Sequence, residues 1–184
     1  MSTYTTNTGI EKPATGAQSG TWGATVNTNF DIIDRAINGV GAVTLSGGTH
    51  TLTTSDGSTS DGQYKLIVFG GSLSGANTIT ISPNDADKIF FVYNNTSGSQ
   101  NIVFSQGSGA NVTVPNGTTK IIYADGGGSG AIVADLTDKF AMGNVNIDGG
   151  AIDGTVIGAN SAAAATVTTL TGSGDVTIDT NTLK

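Results

Sequence analysis

The sequence predicts a mostly β protein with one short helix near its N-terminus. Short runs rich in Val, Ile and Thr are separated by Gly, Asn and Asp turns, which is typical of β-strands. Only one stretch has helical spacing, and the last quarter has isolated aliphatic residues between glycines. We therefore expect three regions: an attachment segment with a helix (1–40), a β-sandwich or jelly-roll-like domain (41–136) and an elongated β-rich segment (137–184).

The first region has a polar, turn-rich start and then one amphipathic helix. We expect residues 1–20 to lie along the surface of another molecule. In the next stretch, apolar side chains recur at steps of four, four, three and four, which places them on one helical face. Thr28 with Asp31 resembles a capping box, and Gly39 fits the C-terminal end. The apolar face consists of Trp22, Val26, Phe30, Ile33 and Ile37.

Two interpretations of this helix stay open. Its apolar face can cover the β-domain that follows, as amphipathic helices commonly do. Alternatively, the face docks on another protein, because it is wide for so short a segment.

The second region reads as nine consecutive strands. Polar and apolar residues alternate clearly at 77–82 and 111–115, while nearly continuous apolar runs at 64–70 and 88–94 predict central strands. No helical pattern lies between these runs, so the region predicts an all-β domain. The nine predicted strands are 42–46, 49–53, 64–70, 77–82, 88–94, 101–106, 111–115, 120–125 and 131–136.

The third region has too few apolar residues to fold within one chain. Burying an aliphatic side chain contributes about 1.5–3 kcal/mol, whereas ordering each residue costs about 1.5 kcal/mol. Aliphatic residues are sparse here, so we expect the segment to be ordered only by association with other copies. The residues predicted to form the shared interior are Val145, Ile147, Ile152, Val156, Ile157, Leu170, Val176 and Ile178.

Composition argues against several functional classes. The net charge is −7 and the Lys and Arg residues are spread singly, so nucleic-acid binding is not expected. The chain has no Cys and one histidine, His50, which argues against thiolate or His-based metal sites and against a Ser–His–Asp triad. No apolar run approaches the roughly 20 residues that span a bilayer, and the N-terminus lacks a signal-peptide pattern. We predict neither cofactor nor enzymatic activity.

Two weaker candidate sites have simple structural alternatives. Asp56 and Asp61 lie in a Ser- and Gly-rich stretch without EF-hand spacing, so we expect a polar hairpin loop and no calcium site. Tyr64, Tyr93 and Tyr123 are candidates for a sugar-binding patch, or simply tyrosines at the edge of the core.

Two motifs, one at each end of the chain, resemble a known family. WGATVNTNFDIIDRAI (22–37) resembles the N-terminal segment of tail-fibre proteins of marine cyanophage-type podoviruses. GGAIDGTVIG (149–158), followed by AAAATVTTLTGSGDVTIDTNTL (162–183), resembles the repeats of trimeric phage tail-fibre shafts. The β-domain between them resembles such proteins only in its general pattern of short strands and turns.

The resemblance implies a homotrimeric virion protein assembled in the bacterial host cytoplasm. Its helix face would dock on tail adaptor or nozzle proteins, and residues 137–184 would form an intertwined trimeric β-helical shaft that supports host attachment. Because longer fibres continue beyond the corresponding point, we expect a proximal fibre or adaptor that carries a distal fibre subunit. The alternatives are a receptor module that binds a host-surface glycan, and a head fibre or decoration protein.

Overall fold

The computed structural model describes residues 1–139. In this range the chain forms one α-helix and three β-sheets, which confirms the prediction of a mostly β fold. No helix in this part of the chain combines the length and the hydropathy needed to cross a membrane. The predicted shaft residues, from Val145 to Ile178, lie outside the described residues.

All nine strands predicted between residues 42 and 136 are present, and two short strands precede them. The helix, α1, runs from Trp22 to Asn38. Short 3-10 helices cover Asp61–Gln63, Gly128–Gly130 and Thr137–Lys139. The strands are β1 (Thr3–Tyr4), β2 (Glu11–Lys12), β3 (Val40–Thr44), β4 (Thr49–Thr53), β5 (Leu66–Gly70), β6 (Asn77–Ser82), β7 (Asp87–Asn94), β8 (Ile102–Ser105), β9 (Val112–Val114), β10 (Thr119–Asp125) and β11 (Val133–Asp135).

Strands β3 to β8 alternate between two sheets. The five-stranded sheet has the order β11-β10-β7-β5-β3, and the four-stranded sheet has the order β4-β6-β8-β9. Strands β3, β5 and β7 are parallel neighbours, as are β4, β6 and β8. Each pair of successive strands therefore forms one coil, and three coils stack on one another. Val40 is paired with Leu66 and Leu66 with Phe91, so successive coils repeat after about 25 residues.

This parallel connectivity differs from that of the expected jelly-roll-like domain, in which strands are antiparallel, and the expected β-sandwich is not confirmed. Antiparallel pairing is limited, in the two larger sheets, to β9 on β8, β10 on β7 and β11 on β10. The prediction was wrong on this point because alternation of polar and apolar residues indicates which side of a strand is buried. It does not indicate which strand lies beside it.

The hydrophobic core lies between the two larger sheets and receives side chains from both. Phe69 on β5 and Phe104 on β8 meet at its centre, with ring centroids 5.6 Å apart in an edge-to-face arrangement. The strands predicted to be central, β5 and β7, do lie inside the five-stranded sheet. The largest fully buried core side chains are Phe69, Phe90, Phe104, Leu52, Ile67, Ile79, Ile81, Ile102, Ile122, Val92 and Val114.

Candidate docking surface of the N-terminal segment

Helix α1 is anchored through one apolar residue and one amide. Ile32 is its only fully buried residue. The Asn29 side chain accepts a hydrogen bond from the Glu11 backbone N–H (3.0 Å) and donates one to the Glu11 carbonyl (2.9 Å). These two bonds fix the middle of the helix to β2.

The C-terminal turn of α1 is held against Tyr64. The Arg35 guanidinium lies 4.4 Å from the centroid of the Tyr64 ring, and its Nη1 donates to the Ser60 carbonyl at 3.4 Å. A positive charge in the last helical turn is also favoured by the helix dipole. Gly41 in β3 lies so close to the same ring that a Cβ there would overlap with it. The helix is therefore fixed to the β-domain along its length.

The predicted apolar face of α1 points to solvent. Trp22 and Phe30 are each 63% exposed, Ile37 is 61% exposed and Ile33 is 38% exposed, while Val26 is half-buried. At 100° per residue these five positions span about 80° of the helix, and Ile32 lies about 120° from their centre. The exposures do not agree with the interpretation in which this face covers the β-domain. We call these five residues the helix stripe.

Helix α1 begins before the predicted capping box and ends at Gly39, as predicted. The helix begins at Trp22 after Thr21, whose side chain makes no capping bond, and Thr28 lies inside it. Asn29, a poor helix former, is accommodated because its side chain bonds the β2 backbone instead of competing for the helix backbone. Gly39 ends the helix in an extended conformation (φ −67°), with its N–H donating to the Arg35 carbonyl.

Residues 1–20 lie along their own β-domain, contrary to our expectation that they would follow another molecule. The Asn7 side-chain oxygen accepts from the Asp87 backbone N–H (3.0 Å). The Thr8 carbonyl accepts from Gln63 (2.9 Å), and the Gly9 carbonyl accepts from the Gly57 N–H (2.7 Å). A polar segment of this kind is thus ordered by hydrogen bonds to buried or half-buried groups, which hydropathy cannot reveal.

The same segment covers a buried lysine. Lys88 points into the core side of β7, is 8% exposed, and donates from Nζ to the Asn7 carbonyl. Burial lowers the pKa of Lys88 from 10.5 to about 8, because desolvation disfavours the charged form. At neutral pH the folded chain therefore still holds Lys88 mostly as a cation, in a place where burial disfavours the charge.

We expect this lysine to make stability rise with pH. Between about pH 8 and 10.5 the unfolded chain binds more protons at Lys88 than the folded chain does, so the free energy of unfolding increases across this window, by at most roughly 3 kcal/mol. Lys88→Met should remove that increase and stabilise the protein at pH 7. Urea denaturation of both proteins at pH 7, 8.5 and 10 measures the difference. Equal pH dependence in the two proteins would contradict the assignment.

The acidic stretch at 55–62 does not bring its two carboxylates together. Asp61 accepts from the Thr53 backbone N–H (2.8 Å) and pairs with His50 (2.8 Å), whereas Asp56 is exposed. The stretch connects β4 to β5 in the opposite sheet and is therefore not a hairpin. Among the residues that the structure describes, no three His, Asp or Glu side chains cluster as metal ligands would.

The three candidate tyrosines do not form one patch. Tyr64 packs on the core beneath Arg35. Tyr93 on β7 and Tyr123 on β10 are half-buried on the outer side of the five-stranded sheet, away from the core.

No protein-family model, curated protein or solved structure matches this chain. The functional interpretation therefore depends on the surfaces described above, of which the helix stripe is the clearest in residues 1–139.

Proposed function

We propose that the chain is a structural virion protein: a homotrimeric proximal tail fibre that docks on the tail through the helix stripe. The observation that carries the proposal is the orientation of α1, whose apolar residues face solvent while Asn29, Ile32 and Arg35 hold the helix to the β-domain. The motif resemblance at 22–37 supports the same role.

An exposed helical stripe of this kind suits insertion into a groove of another protein. Trp is among the side chains that most often dominate binding energy at interfaces and Phe is enriched there, and here each is more than half exposed. Asp31 and Asp34 are exposed on the same helix. The chemistry therefore fits a tail adaptor or nozzle protein whose apolar groove has a basic rim.

The proposal assigns residues 137–184 to an intertwined trimeric shaft that supports host attachment at its distal end. It rests on the spacing of single aliphatic residues by Gly, Asp and Thr in that segment, and on its resemblance to phage shaft repeats. In this arrangement each aliphatic side chain packs against its symmetry mates, so three chains supply the interior that one chain lacks.

The double variant Trp22→Gln, Phe30→Gln tests docking directly. Both side chains are exposed, so we expect the fold to lose little stability, while binding to the tail weakens at least about 100-fold because two interface anchors are lost. The measurement is the number of copies per purified phage particle, by quantitative mass spectrometry, with the thermal midpoint of the free protein as the stability check.

The matched control is Ala24→Gln, Asn27→Gln, which changes two exposed positions of α1 outside the stripe and keeps both aspartates. Normal incorporation of the stripe variant would refute the docking role. Deleting residues 1–40 is a weaker test, because it also removes the groups that cover Lys88 and bond Gln63.

One observation favours a second function, recognition of a host-surface glycan. Phe91, Tyr93 and Tyr123 are aromatic residues on one accessible sheet face, and aromatic faces are common platforms for sugars. Binding on a glycan array that is lost in Tyr93→Ala or Tyr123→Ala would favour this function. A head fibre or decoration protein is the remaining alternative, and the location of the copies on intact particles distinguishes it from a tail fibre.

A further inference from the structure

The outer face of the five-stranded sheet is largely apolar, although the row that contains Tyr93 ends in Thr119. Its central row consists of Val40, Leu66, Phe91 and Ile121, paired in register across four strands. Val40 is 61% exposed and Phe91 is 39% exposed, while Leu66 and Ile121 are half-buried. Within residues 1–139, Val40 and Phe91 therefore remain accessible on this side of the sheet.

Two further rows flank it. Ala42, Val68 and Tyr93 are paired on one side. On the other side Ile89, which is 47% exposed, is paired with Tyr123, and Tyr123 with Ala134. We call these three rows the outer sheet face. They are Val40, Leu66, Phe91, Ile121, Ala42, Val68, Tyr93, Ile89, Tyr123 and Ala134.

The equivalent face of the four-stranded sheet is polar. Thr51 on β4 is paired with Thr80 on β6, and Thr80 with Ser105 on β8. The neighbouring row is Thr49, Thr78, Val103 and Thr113. Both sheets share the same coils, so the contrast is not a consequence of the fold. The contrast indicates that the outer face of the four-stranded sheet is exposed to water and that the outer face of the five-stranded sheet contacts a protein.

Strand composition leads to the same conclusion. Parallel strands with apolar residues on both sides are typical of sheets that are covered on both faces. Strands β5 and β7 have this composition, and the core covers only their inner side. The outer sheet face therefore lacks the second layer that its composition predicts.

The charges around this face are compatible with a second copy of the same face. Its three rows contain no charged residue. Along one margin lie Lys65, whose Nζ is 6.0 Å from the centroid of the Phe91 ring, and Asp87 and Asp125. A margin with charges of only one sign would repel a second copy of itself. This margin carries both positive and negative charges, which avoids that repulsion.

The described part of the chain ends at the edge of the five-stranded sheet. The Leu136 N–H donates to the Ile121 carbonyl at 2.8 Å, and the last described residue, Lys139, follows three positions later. In the proposed fibre, residues 137–184 join the three chains. Chains held together there would bring their faces to a high effective concentration.

The outer sheet face is too small to hold the subunits together without such a tether. Its ten residues, with strands about 4.8 Å apart and rows about 6.7 Å apart, cover on the order of 300 Å². A stable interface of standard size takes about 800 Å² from each partner. The face alone supplies less than half of that area.

We infer that the outer sheet face packs against the domains of sister subunits in the oligomer. The inference rests on the proposed homotrimer and adds to it the surface through which the β-domains meet. The occupant of the face is thus another copy of this chain.

Because the chain contains no cysteine, the reactivity of a single introduced cysteine reports whether the sheet face that carries it is covered by another part of the protein. Ile89→Cys and Val40→Cys probe the outer sheet face, and Thr51→Cys, equally a strand residue exposed in the single chain, is the matched control. The full chain at about 100 µM is treated with a maleimide under native conditions, and each rate is divided by the rate for the same variant in guanidinium. Light scattering gives the mass of each variant.

We expect an oligomer in which Ile89→Cys and Val40→Cys react at least about 10-fold more slowly than Thr51→Cys. An oligomer with equal rates would overturn the inference while leaving the homotrimer intact. A monomer with equal rates would overturn both. Protection in a monomer would assign the face to residues 140–184 of the same chain and would also overturn the inference.

Discussion

Replacing Gly71 with alanine is expected to destabilise the protein by on the order of 4 kcal/mol, a large fraction of the roughly 5–15 kcal/mol by which domains are usually stable. Gly71 lies at the corner that follows β5, with φ at +106°, where side chains are rarely tolerated. A Cβ there would overlap with the Leu45 carbonyl oxygen of the coil below. The Leu45 N–H donates to the Gly70 carbonyl at 2.8 Å, so the two corners cannot separate without breaking that bond.

Gly47, at the corner between β3 and β4, provides a matched control. Its φ of +110° is nearly that of Gly71, but no atom lies within 4 Å of the position its Cβ would occupy. Gly47→Ala should therefore cost only the backbone strain, about 1–2 kcal/mol. Chemical denaturation of both variants separates strain from overlap. Equal losses would show that the close stacking of coils is not what requires Gly71.

The second large effect is expected at Asn94, which is fully buried at the end of β7. Its side-chain nitrogen donates to the Gln100 and Val114 carbonyls at 3.0 Å each. Its oxygen accepts from the Thr96 hydroxyl at 2.7 Å and from the Thr96 N–H at 3.3 Å. Asn94→Leu keeps the number and branching of side-chain heavy atoms but leaves these groups without partners, so we expect a loss of on the order of 4 kcal/mol.

Substitution of Asn77 is the control, because we expect it to change stability in the opposite direction. Asn77 is 1% exposed at the start of β6, and within residues 1–139 neither its amide oxygen nor its amide nitrogen has a hydrogen-bond partner. Asn77→Leu should therefore stabilise the protein by roughly 1–3 kcal/mol, because an apolar side chain avoids the cost of an unpaired buried amide. Urea denaturation measures both variants. Similar destabilisation by the two substitutions would contradict this explanation.

The strands were predictable, whereas their arrangement was not. Alternation such as that of Thr78, Ile79, Thr80 and Ile81 follows from burial of one side of a strand, and the structure confirms all nine strands between residues 42 and 136. Parallel stacking of β3, β5 and β7 depends on corners such as Gly71 and Gly98, where the backbone of one coil lies on the next. A list of turn residues does not distinguish these corners from hairpins.

The helix was predictable in position but not in orientation. Its apolar residues were expected to face either the β-domain or a partner, and the side chains that decide are polar: Asn29 bonds Glu11 and Arg35 lies over Tyr64. Such contacts depend on residues distant in the sequence. The same holds for the segment 1–20, whose bonds to Gln63 and Asp87 follow from the shape of the domain.

The outer sheet face could have been found from the sequence, because its signal was present in the apolar runs at 64–70 and 88–94. These runs predicted central strands, as the structure confirms. Their other implication was a second covering layer, which requires apolar residues on both sides of each strand. The structure adds which residues lie on that side, since Ile89 and Phe91 point away from the core.

The solution mass of the full chain tests the central proposal most directly, since a fibre whose shaft is shared between subunits cannot exist as a single chain. Light scattering at micromolar concentration should give about 55 kDa, three times the chain mass of 18.3 kDa. A mass of 18.3 kDa, with residues 140–184 still resistant to protease and to hydrogen exchange, would contradict the proposal.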